Sequence, residues 1–143
     1  MVAVDTTLAL VSLADTKEYL LITGTIEDSI LGFLINEVSS LMNVYTGRFL
    51  LSKAHTEYYD GDGTSEILLR NYPVTAVGSL YNADANRTFD STSQVTVATN
   101  VIIKKDQGIL RLWNNESAFL SGHANVKTTY TAGYALADVP DDL

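Results

Sequence analysis

Two histidines, His55 and His123, are the side chains best placed to move a proton near neutral pH. They lie far apart in the chain, and neither has a second His or a Cys at metal-ligand spacing. A serine nucleophile needs a Gly-x-Ser-x-Gly elbow, which is absent, and the sequence has no cysteine to serve in its place. Asp60-Gly61-Asp62-Gly63 resembles the start of a calcium loop, but the bidentate glutamate that closes such a loop falls at Asn71. These residues are read as a hairpin turn. Gly61, Gly63 and Gly78 do not open a helix, so they form no phosphate cradle. No catalytic residue, metal site or cofactor is expected.

The aromatic residues suggest binding. Tyr58, Tyr59, Tyr72, Tyr81, Trp113, Tyr130 and Tyr134 fall in the second two-thirds of the chain. A flat exposed row such as Tyr58, Tyr81 and Trp113 would stack on sugars, as in a carbohydrate- or cell-surface-binding β module. Aromatics in a small β domain more commonly fill the core or an interface.

The elements that carry these residues change character near Gly47. Ser12 followed by Asp15 forms a capping box for a first helix running to about Leu21 and broken by Gly24. A second, longer helix should be capped by Thr25, with Asp28 three residues on, and ended by Gly47. Ile26, Ile30, Phe33, Leu34, Val38, Leu41 and Tyr45 form its apolar stripe. The opposite face holds Ser29, Gly32, Asn36, Ser39, Ser40 and Asn43, with Asp28 its only charge. Such a face is either solvated or packed on a neighbouring subunit. Leu31, Ile35 and Met42 widen the apolar arc and favour the second reading, which makes Ser29, Gly32, Asn36, Ser40 and Asn43 an expected subunit interface.

Beyond residue 48, β-branched residues, alternation and turns predict strands over 51–59, 65–70, 74–82, 94–103, 108–113 and 125–131. Pro73 opens a strand, where its missing N–H does no harm. Asp106-Gln107-Gly108 signals a hairpin, and 82–93 reads as a loop. The expected class is α+β: a helical region, 1–48, followed by an antiparallel sandwich or barrel-like region, 49–143, together forming one compact domain.

The 143 residues carry a net charge of −8. Residues 1–47 hold six acids and one base, and the rest hold eleven acids and eight bases. An acidic surface repels phosphates, so sequence-specific DNA binding is not expected, although DNA could slide past such a wall. No apolar run is long enough to cross a bilayer, and the N-terminus lacks a signal-peptide pattern.

An ordered series of short motifs then stands out. Tyr45-Thr46-Gly47-Arg48 ends the second helix. Tyr59-Asp60-Gly61, Tyr72-Pro73-Val74, Gly108-Ile109-Leu110 and Trp113 follow. Tyr130-Thr131-Ala132-Gly133-Tyr134 and Val139-Pro140-Asp141-Asp142-Leu143 close the chain. From about Ser12 onward this series resembles the head–tail connector (head-completion or adaptor) proteins of tailed double-stranded DNA bacteriophages. The resemblance implies a non-enzymatic subunit of the virion neck, assembled in the host cytoplasm. It implies a ring of twelve copies that docks on the portal protein and extends the DNA channel. A stopper or tail-terminator protein would dock below, with no membrane involved. Tyr45, Gly47, Arg48, Pro73, Trp113, Tyr130, Gly133 and Pro140 would hold structural roles. Family members usually continue past the last motif into a further apolar helix, so the helical region is expected to lean on neighbouring subunits for burial.

Overall fold

The computed structural model describes residues 3–114 and 116–140. Asp141, Asp142 and Leu143 of the last motif lie outside the described residues. The class is α+β, as expected, and the chain forms two units. One contains the residues up to Leu51 and those from Tyr134 onward; the other is Ser52–Gly133.

In the first unit, α1 spans Leu13–Tyr19. Ser12 caps it as the sequence predicts: its hydroxyl accepts from the Asp15 N–H at 3.0 Å and donates to the Asp15 carboxylate at 2.7 Å. Its end lies close to the expected Leu21, but Gly24 is not what breaks it: Leu21 itself adopts φ +58 and turns the chain out of the helix. The Leu21 N–H then reaches the Glu18 carbonyl, and the Ile22 N–H reaches that of Lys17. This is a Schellman closure with leucine where glycine is usual. A left-handed leucine is strained, and Leu21 is 89% exposed, so it buries almost nothing in return. Leu21→Gly is therefore expected to stabilise this unit by about 1 kcal/mol, as read from its denaturant midpoint.

The long helix α2 spans Asp28–Thr46. Thr25 does not cap it; Glu27 stands at the N-cap without a side-chain bond. The start is held instead by an ion pair between Lys17 Nζ and Asp28 at 2.6 Å, with Lys17 also donating to the Gly24 carbonyl. Gly47 ends α2 at φ +68, as predicted. The C-terminal segment returns to this unit through the Tyr134 N–H, which donates to the Leu50 carbonyl at 2.8 Å.

The second unit contains β1 (Lys53–Gly61), β2 (Glu66–Leu68), β3 (Val74–Asn82), β4 (Gln94–Val95), β5 (Val101–Lys104), β6 (Ile109–Leu112) and β7 (Gly122–Ala132). They form two antiparallel sheets, ordered β1-β7-β3-β4 and β2-β6-β5. The core joins Val74, Leu80, Val126, Tyr130 and Ala132 of the larger sheet to Leu110 and Leu112 of the smaller, with Leu69 and Phe119 from the connections.

Two strand expectations need correction. The run predicted over 94–103 breaks into β4, a single helical turn over Val97–Asn100 (α3) and β5. Thr96 starts that turn, its carbonyl accepting from the Asn100 N–H at 2.9 Å. The Asp60-Gly61-Asp62-Gly63 run is no hairpin, because β1 pairs with β7 and β2 with β6. It is the crossing between sheets, and both carboxylates serve it. Asp60 accepts from the Ala124 N–H at 2.6 Å, and Asp62 accepts from the Thr64 N–H and hydroxyl. These bonds hold both carboxyls below their ordinary range.

The segment that returns from Trp113 to β7 is fastened on all sides. Phe119 is buried, and its backbone exchanges bonds with Thr64 and Gly63. Asn82 donates to the Ala118 carbonyl and accepts from the Leu120 N–H. Asn125 is fully buried; it donates to the carbonyls of Leu120 and Ala83 and accepts from the Gly61 N–H.

Candidate assembly surface

The two faces of α2 are used opposite to the ordinary amphipathic rule. Gly32 and Ser39 of the polar face are buried, together with Leu31 and Ile35. The N-terminal segment lies there, held by side chains of the helix. Asn36 accepts from the Asp5 N–H at 2.9 Å and donates to the Ala3 carbonyl at 3.1 Å, while the Ser39 hydroxyl accepts from the Leu10 N–H at 3.0 Å. Asn43 accepts from the Leu50 N–H at 3.0 Å, and Ser29 is half-buried. Of the five residues expected to meet a neighbouring subunit, Ser40 is the one that remains exposed.

The apolar stripe faces outward. Ile26 is 91% exposed, Ile30 59%, Leu41 65% and Tyr45 87%, with Phe33, Leu34, Val38 and Val44 also exposed. Its expected role as the inner face of the helix is thus corrected. The buried apolar residues of this unit are Ala9, Leu31, Ile35 and Leu50, a small core for a 19-residue helix. Contiguous exposed apolar surface of this kind is rare on monomeric proteins. Full burial of such side chains is worth about 1.5–3 kcal/mol each before the cost of association. Beside the stripe, Leu34 and Val38 also line a groove of about 760 Å³ whose other walls include Leu10, Val11, Met42, Leu136 and Pro140.

The chemistry-bearing residues sit elsewhere. His55 stacks on Tyr130 with ring centroids 5.3 Å apart, and burial holds its imidazole below the ordinary value. Nearby, Glu57 accepts from the hydroxyls of Tyr59 and Tyr130 and from the Asn71 amide. Burial, reinforced by the Glu57 carboxylate, pushes both tyrosine hydroxyls up. The Glu57 oxygens are thus engaged in tying β1 to β7 and to the turn before Pro73. His123 is fully exposed and lies 3.5 Å from Asp60. Neither histidine lines a described cavity.

The flat aromatic row needed for a sugar platform is not assembled. Tyr58, Lys127 and Tyr81 form one cross-strand row, and the Lys127 ammonium lies 5.9, 5.7 and 5.6 Å from the ring centres of Tyr58, Tyr81 and Phe89. The lysine occupies ring faces that a sugar would need. Trp113, 59% exposed, follows β6 of the other sheet. Of the remaining motif residues, Tyr130 is buried in the core, Gly133 turns at φ +108 and bonds the Pro73 carbonyl, and Arg48 donates its N–H to the Asn43 carbonyl.

The inverted helix was beyond sequence reasoning that equates an apolar stripe with a core. The available signal was Glu37, a carboxylate in the middle of that stripe, between Phe33 and Leu41.

No curated protein sequence matches the chain. Among solved structures, it resembles a chain in the neck of an empty GTA particle computed with C6 symmetry. The TM-score is 0.66 at 19% identity, and the match covers 99% of this chain and 77% of that one, which is a similarity of fold. The head completion protein family matches residues 9–143, nearly the whole sequence, and the chain belongs to that family.

Proposed function

We propose that the chain is a structural subunit of the head–tail neck of a phage-like particle. Many copies close into a ring through one repeated contact between unlike faces. The ring sits below the portal, continues the DNA channel and presents the surface on which a stopper or tail terminator docks. The observation that carries this reading is the uncovered apolar stripe of α2, which a lone subunit leaves in water and a ring covers. Twelve copies suit the proposal. The neck that holds the similar chain was computed with six-fold symmetry, which a twelve-fold ring contains. The net charge of −8 suits a wall past which DNA slides without adhering. The role asks for no bond-making centre.

Negative-stain microscopy of the full chain, alone at high concentration and mixed with portal rings from the same particle, tests the proposal. Closed rings of one fixed size, seated on the portal, are the expected result. A chain that remains monomeric and unbound in both samples overturns it.

A further inference from the structure

Glu37 is the one charged residue inside the exposed stripe of α2. Phe33 and Leu34 stand one turn before it, and Leu41 one turn after it. It makes no ion pair with any described residue. Covering the stripe would strip this carboxylate of water, which is strongly disfavoured unless the covering surface brings a cation. A second α2 stripe cannot bring one. It would set Glu37 against apolar side chains or its own copy, and residues 1–47 carry a net charge of −5. The contact is therefore between unlike faces.

A complementary face exists on the smaller sheet. Strand register places Glu66, Arg111 and Ile102 in one outward row, and Leu68, Ile109 and Lys104 in the next. Leu68 is 63% exposed. Lys104 Nζ lies 3.3 Å and Arg111 Nε 3.8 Å from the same Glu66 oxygen, so two cations share one anion and one positive charge is left over. Apolar surface around one surplus cation matches apolar surface around one surplus carboxylate.

We infer that the α2 stripe of one copy packs on the outer face of the β2-β6-β5 sheet of the next, with Glu37 taken up by Lys104 and Arg111. This contact rests on the ring reading above and specifies its repeated interface.

The test mixes isotope-labelled and unlabelled full-length chain under ring-forming conditions and applies a zero-length carbodiimide cross-linker. Mass spectrometry is expected to find Glu37 joined to Lys104 in peptide pairs of mixed label, which only contact between copies can produce. Glu37→Lys should weaken self-association at least tenfold, as should Lys104→Glu combined with Arg111→Glu. All three changes together should restore it to within a few fold. Rings whose cross-links join Glu37 elsewhere, or folded variants that assemble as well as the unaltered chain, overturn this contact and leave the ring reading standing. Absence of rings of the unaltered chain, both alone and on portal rings, overturns both.

Discussion

Gly61→Ala is expected to lower the stability of the β unit by about 3–5 kcal/mol, towards the severe end for single substitutions. A Cβ at this position would lie 1.9 Å from the Leu120 carbonyl oxygen and 2.9 Å from its carbon. Both atoms are backbone, so no rotamer change relieves the overlap. Retreat is blocked on each side. The Leu120 oxygen already accepts from Asn125, and the Gly61 N–H already donates to the same side chain. Gly61 ends β1 just past an irregularity in its pairing, where it faces Gly122 across the ladder. Two glycines at this register let the strands approach more closely than a side chain permits. Chemical denaturation followed by tryptophan fluorescence provides the measurement, since Trp113 belongs to the affected unit. Gly24→Ala is the control and should change stability little, because its Cβ would meet nothing nearer than 4.0 Å.

Asn125→Ala should cost a similar amount, about 3–5 kcal/mol, for a different reason. The side chain is fully buried and makes three hydrogen bonds, to the carbonyls of Ala83 and Leu120 and from the N–H of Gly61. Truncation removes the side-chain partner of all three backbone groups at a fully buried position, and each stranded buried group costs about 1–3 kcal/mol. Asn125→Asp separates hydrogen bonding from packing, because it keeps the shape and the acceptor for Gly61. At neutral pH it sets a carboxylate against two carbonyls, so it should be at least as damaging as alanine. Its folded-state pKa would lie above that of the unfolded chain. Its stability should therefore recover as pH falls through that raised value, when the protonated acid can donate one bond. Midpoints for both variants at neutral and mildly acidic pH check this. A pH-independent Asn125→Asp would refute the hydrogen-bond account.

What could be read from the sequence was local. Ser12 with Asp15, Gly47 and the Gly108 turn each act within a few residues, and each appears where expected. The strand over 74–82 is found at those bounds, opened by Pro73. What could not be read depends on partners distant in sequence. The Asp60–Gly63 run carries hairpin residues, yet the strands on either side pair elsewhere. Leu21 occupies a left-handed position that neighbouring residues do not announce. The clearest failure is α2, where periodicity gives the direction of the stripe but not what covers it. The side chains of Asn36 and Ser39 accept from backbone N–H groups of the chain's own N-terminal segment, which lies on the face that turns inward.

The tethering of Ala118–Leu120 has a mechanical meaning. Asparagine side chains, backbone bonds to Gly63 and Thr64, and the sunken Phe119 ring fasten this stretch. Load applied there has short hydrogen-bonded routes into β3 through Asn82 and into β7 through Asn125.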